Sequence, residues 1–271
     1  MAIELPSAQL LPGAARLAEL HAAELPQKDE LCGSFCTFLA LRLAGVDVLD
    51  QDAVAEAAGG VLAPEDYDHT AELPAGETGR RDYRLSFPIA DPDVAGTSAG
   101  GLVRAVSELS GGSRVAVPVS GPWDGRTVSE LLAVAAAEQE AAIVLNMATA
   151  VLWGSKPSAP TLLKYLESGD DAAGPPPDWE VGHFTGCLGA IRGARGTLVI
   201  IADTYPSLGW NAVYLQPAER VAAALRRDHL PTDGGALVIV PAHREGEVSG
   251  SIEAAGLTIA TWDNGSPDAR G

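Results

Sequence analysis

Cysteine is scarce in this chain: three in 271 residues, at positions 32, 36 and 187, with no Cys-x-x-Cys pair. That excludes a disulfide framework and a structural zinc site built on paired thiols. Basic residues are few as well. Lys plus Arg number 18 against 36 Asp plus Glu, a formal charge of −18. So acidic a surface repels a phosphate backbone, and no basic stripe with interleaved aromatics stands anywhere, so nucleic acid is not an expected partner. Long apolar runs are missing too. No stretch approaches the length of a membrane span, and residues 1–31 lack a basic start followed by a long apolar core. Neither membrane nor secretion is expected, and the location these absences suggest is cytoplasmic. P-loop and dinucleotide fingerprints are absent, the glycines at 186, 189, 193 and 196 having neither the spacing nor the context. No cofactor and no metal is expected.

What is present begins at Leu31-Cys32-Gly33-Ser34-Phe35-Cys36. Small or apolar residues recur at Cys32, Phe35, Cys36, Leu39, Ala40 and Leu43, the spacing of a buried helical face, and Gly45 supplies a stop. Asp29 and Glu30 precede the run, where acidic groups suit the positive end of a helix dipole. Cys32 then falls in the first helical turn. Unpaired N–H groups there favour thiolate over thiol, and a neighbouring imidazolium lowers the thiol pKa further. Cys36, one turn deeper and without a charge beside it, is expected to stay an inert thiol.

A second constellation lies about 150 residues on. The run from Gly182-His183-Phe184 to Ile191 and the run from Leu198 to Asp203 flank the Gly-rich segment 192–196, the pattern of an antiparallel hairpin. A turn centred on Gly193 or Ala194 puts His183 opposite Asp203 or two residues diagonal to it, on one face of the sheet. A carboxylate so placed holds the imidazole tautomer and stabilises its charged form. Taken singly, a sheet histidine and a strand-end aspartate ahead of Pro206 are ordinary. With Cys32 they supply nucleophile, base and orienter. Gln27, shortly before the thiol, offers a side-chain amide for the oxyanion of an attacked carbonyl.

Pro26-Gln27 through Leu39, Gly182-His183-Phe184 and Ile201-Ala202-Asp203 together resemble the Gln, Cys-Gly, His-Phe and Asp blocks of papain-like cysteine peptidases, most of all the C39-type group. The resemblance implies Cys32 as nucleophile, His183 as base, Asp203 as orienter and Gln27 as oxyanion donor. It implies an α+β, papain-like domain over residues 1–271, with the nucleophile on an N-terminal helix packed against a mainly antiparallel sheet. The spacing from Gln27 to Cys32 is one residue shorter than is usual in that group. Asp203-Thr204-Tyr205-Pro206 stands where an Asp-Pro is common, with Asn211 as an alternative orienter.

Between the two constellations, residues 51–180 form an insertion-rich middle segment. Helices are expected at 50–58, 97–109 and 127–138, the last opened by a capping box at Thr127, and strands at 114–119 and 142–146. Residues 59–81 look irregular and acidic. The Pro- and Gly-rich stretch 153–179 precedes the base and is a candidate cleft rim. Beyond the hairpin come an amphipathic helix at 217–227 and strands at 236–240 and 257–261. Trp123 and Trp210 are candidates to line a cleft.

The expected function is that of a cysteine peptidase acting on a peptide, for example in leader removal from a precursor, through a thioester acyl-enzyme. The same thioester intercepted by an amine would make an acyltransferase. A catalytically silent papain-like binding module is the remaining alternative. The partner in each case is a peptide or acyl substrate, and the oligomeric state is left open by the sequence.

Overall fold

Apolar residues occupy nearly every position of Ala142–Ala148, and all seven are buried, the pattern of a strand covered on both faces. In the computed structural model, which describes residues 5–270, this strand lies near the middle of an eight-stranded antiparallel sheet. The strands are β1 (Ser7–Leu10), β2 (Arg114–Ser120), β3 (Ala142–Ala148), β4 (Gly182–Arg192), β5 (Thr197–Ala202), β6 (Val213–Pro217), β7 (Gly235–Pro241) and β8 (Thr258–Ile259). Their order is β6-β5-β4-β3-β7-β2-β8, with β1 on the stretch of β4 that β3 leaves free.

Helices cover both faces. On one side lie α1 (Ala14–Glu24), α2 (Cys32–Leu43), α3 (Gln51–Ala58) and α4 (Ala99–Leu109), whose Leu17, Phe35, Val54 and Leu102 meet Val144, Phe184 and Leu188 of the sheet. On the other lie α5 (Gly125–Ala137), α7 (Ala218–Arg226) and α8 (Glu245–Ala254), packed on Ile143, Met147, Val199 and Val238. Between them in sequence, α6 (Ala159–Ser168) joins Trp153 and Leu198 in a smaller cluster. The architecture is α+β. Among the described residues, no helix is long and apolar enough to cross a membrane.

The α2 helix is buried on almost every side, being held by α1, α3, α4 and the sheet. An amphipathic stripe would not suffice for such a site, and the all-round apolar composition of this helix fits it. Its Gly33 permits the close approach. A Cβ there would stand 2.9 Å from Leu102 Cδ1 and 3.1 Å from the Phe184 ring. The glycine after Cys32 thus lets the first turn of α2 press against β4.

Several elements depart from the sequence expectation for identifiable reasons. The α5 helix starts two residues earlier than Thr127, because Asp124 is the N-cap and Thr127 closes the capping box from inside. The stretch 153–179 is interrupted by α6, started by the Ser158 cap with a proline in the first turn. Strands β2 and β3, from the middle segment, are interior strands of the sheet. Trp123 is buried in the core on the α5 side, whereas Trp210 is exposed.

Candidate active site

The loop before α2 is fastened from several directions. Lys28 Nζ meets Asp52 Oδ1 at 2.7 Å with both side chains buried, and Lys28 N donates to Gln51 Oε1. Asp29 accepts from Arg80 N and pairs with Arg81, while Glu30 accepts from Ala63 N and pairs with His69. The two acids therefore face the 60–83 segment and not the helix dipole. Glu30 takes a left-handed backbone, φ 64°, which costs a non-glycine residue about 1–2 kcal/mol and is offset by those ties. The 60–83 segment thus acts as a clamp on the stretch between Gln27 and Cys32.

The β4–β5 hairpin positions the base. Its turn is longer than expected, spanning Gly193 to Gly196, so Ile191 pairs with Leu198 and Ala190 with Val199. Continued unchanged, that register would set Asp203 opposite Gly186 and leave His183 on the other face. A bulge between Cys187 and Gly189 restores the alignment. Above it Cys187 pairs with Ile201 and Gly186 with Ala202, so His183 and Asp203 share a face as diagonal neighbours.

His183 Nε2 lies 3.0 Å from Asp203 Oδ1, both side chains being buried. The carboxylate is further held by Thr204 N at Oδ1 and by the Tyr214 hydroxyl at Oδ2, each at 2.6 Å. The Asp203 carbonyl also takes a short hydrogen bond from the His21 ring. This use of Nε2 leaves Nδ1 of His183 for the thiol. Cys32, half-buried, is within hydrogen-bonding reach of the His183 ring.

The electrostatics follow from that contact. Burial alone would raise the Cys32 thiol, but the hydrogen bond and charge of His183, with the N–H groups of Phe184 and Gly33, bring it below the ordinary value. Burial works to lower His183, and Asp203 and Cys32 outweigh it, pushing the imidazole up to about 10. Burial likewise opposes ionisation of Asp203, and His183, Tyr214 and Thr204 N hold it below the usual carboxylate range. Together these shifts favour a thiolate–imidazolium pair oriented by a carboxylate. Cys36 and Cys187 show the contrast: buried without a cation, the first is pushed well up and the second to about 12.

Gln27 is tied to the same spot indirectly. Its N–H donates to Thr204 O at 3.1 Å, and Thr204 Oγ1 lies 3.2 Å from His183 Nε2. The residue is buried and its Oε1 has no hydrogen-bond partner among the described residues, so the amide is not committed to a structural bond there. Asn211 is exposed and lies in the turn before β6, away from the orienter position that Asp203 fills.

Four further residues complete the surroundings of the base. Trp179 meets the His183 ring edge-on at 4.8 Å, and Tyr205 stacks near it at 6.4 Å. Tyr214 and His21 hold Asp203. None of the four stands out in the sequence, although Trp179 closes the Pro-rich stretch four residues before the base. Tyr214 sits on a strand whose pairing with β5 could be found only from the structure. Among the described residues no group of three or more His, Cys, Asp or Glu could hold a metal ion.

Residues 11–263 match the model of DUF6885, a family of unknown function. The chain belongs to that family. No curated protein matches it. The membership spans nearly all of the described chain, from the end of β1 to the segment beyond β8, and so includes Cys32, His183 and Asp203.

Proposed function

We propose that this DUF6885 chain is a cysteine peptidase with a papain-like, C39-type site, cleaving an amide bond of a peptide substrate. The observation that supports this most is the contact of the half-buried Cys32 thiol with an imidazole whose other nitrogen is held by a buried carboxylate. A structural histidine would need neither the thiol nor a carboxylate fixed by two further donors.

In this reading the Cys32 thiolate attacks the carbonyl carbon of the scissile amide, and the oxygen becomes an oxyanion. The Cys32 N–H, free in the first helical turn, and the Gln27 amide stabilise it. The imidazolium of His183 gives its proton to the departing amine as the C–N bond breaks, leaving a thioester on Cys32. Neutral His183 then takes a proton from water, whose oxygen attacks the thioester and releases a carboxylic acid. Asp203 keeps the ring oriented and its charged form stable throughout.

The test is incubation with a proteome-derived peptide library, with new termini read by mass spectrometry. The reading expects defined cleavages that disappear in Cys32→Ala and His183→Ala, and an acyl adduct on Cys32 trapped at short times. If amide products appear only with an added amine, the enzyme is a transferase. Identical spectra for the wild type and Cys32→Ala would overturn catalysis by this site.

A further inference from the structure

Arg227 is the C-cap of α7, in a left-handed backbone with φ 51°, and is only 3% exposed. Its Nη1 donates to Thr232 Oγ1 at 2.9 Å and to Asn264 O at 3.4 Å, and its Nη2 to Met147 O at 3.4 Å. All three acceptors are neutral. Among the described residues Nε has no acceptor, and no carboxylate is paired with this guanidinium. Burying an unpaired cation is costly, so its countercharge has to be sought nearby.

The surroundings point to the nucleophile. Met147 pairs with His183 across the β3–β4 ladder, and Nη2 lies so close over Gly182 that a Cβ there would come within 2.7 Å. Arg227 therefore borders the strand end that carries the base, and its charge interacts with Cys32. The charge balance of the site leaves a vacancy of one sign. With Asp203 and the thiolate negative and His183 positive, the triad carries one negative charge in excess.

We infer that Arg227 is a positioning residue whose buried guanidinium supplies the countercharge of the Cys32 thiolate, making the four-residue set electrically neutral. The inference rests on Cys32 being the nucleophile proposed above. His183 and Asp203 share one pair of charges, and Arg227 balances the remaining one. The ionisable groups whose fields couple to the thiol are His183 from β4, Cys36 from its own helix, Tyr205 from the loop after β5 and Arg227 from the end of α7. Asp233 is the acidic group whose field also reaches Arg227. Arg227 is the only permanent cation in that set.

The experiment follows the rate of Cys32 alkylation by iodoacetamide against pH in the full chain, with thermal stability recorded for each variant. In Arg227→Gln the apparent Cys32 pKa is expected to rise by about one unit, an approximately tenfold slower alkylation near pH 6. Arg227→Lys, which keeps the charge but loses the hydrogen-bonding fork, restores it to within a few tenths of a unit. An unchanged titration in Arg227→Gln, or a shift in Arg227→Lys as large as in Arg227→Gln, overturns the inference. If Arg227→Gln does not fold, His183→Gln decides, because it retains Arg227. Cys32 should then still titrate at or below its unfolded value of 9.0, and a rise toward the behaviour of buried Cys187 overturns the inference. A His183→Ala chain separates the two claims. Cys32 unresponsive to that change sinks the catalytic site itself, whereas a response there with none in Arg227→Gln sinks only the role of Arg227.

Discussion

Tyr214 donates its hydroxyl to Asp203 Oδ2 at 2.6 Å, the oxygen that His183 does not use. The buried carboxylate depends on it. Tyr214→Phe would leave Oδ2 desolvated with no donor, at a cost of about 1–3 kcal/mol. Because this donor helps hold Asp203 below the usual carboxylate range, its loss moves the Asp203 pKa upward. Urea unfolding should show the stability loss, and the acid limb of the Cys32 alkylation profile should move to higher pH.

The bulge beside Leu188 gives a second prediction. Gly189 has φ 138° and packs so closely on β1 that a Cβ would stand 2.4 Å from Gln9 O. Gly189→Ala should cost about 1–3 kcal/mol through backbone strain, plus the displacement of β1. Urea unfolding of Gly189→Ala measures this loss.

Gly33 offers a third. Its Cα lies where a methyl group would press on the Phe184 ring and on Leu102, both buried. Gly33→Ala should destabilise by about 1–3 kcal/mol, the usual cost of overpacking, and draw the first turn of α2 away from β4. Alkylation of Cys32 at mildly acidic pH should slow by more than the stability loss accounts for. Urea titration and alkylation kinetics on the same preparation compare the two.

These particulars show what could be read from the sequence. The burial of α2 and the position of Cys32 in its first turn follow from local periodicity, and the pairing of the 182–191 and 198–203 runs from turn chemistry. The bulge that aligns His183 with Asp203 does not, because one extra residue in a strand has no signature in composition. Nor do Tyr214, Trp179 and Arg227, whose relation to the site depends on contacts between distant segments. The clamp at 60–83 was hidden for the opposite reason: an acidic, irregular stretch looks like solvated loop until its ion pairs with Asp29 and Glu30 are seen. The family match spans the site residues and carries no function with it.

The coupling of thiol and imidazole predicts a pH window. A raised His183 contributes stability that is complete below its unfolded value near 6.5 and lost as the pH climbs through about 10. A lowered Cys32 contributes stability present above its unfolded value of 9.0 and lost as the pH falls through its depressed folded value. The charged pair therefore persists between the folded Cys32 value and about 10. Cys32→Ala removes the thiolate that supports the imidazolium, so the His183 pKa should fall by about one unit or more. Imidazole C–H chemical shifts followed against pH would show it, and an unmoved His183 would mean that the two groups are not coupled.

The most direct test of the central claim, a reactive thiol at Cys32 created by His183, is iodoacetamide labelling across pH with peptide mapping of all three cysteines. The account predicts selective labelling of Cys32 near pH 6, with Cys36 and Cys187 untouched, and loss of that selectivity in His183→Ala. Equal labelling of the three cysteines, or labelling of Cys32 only in alkaline solution, would contradict it.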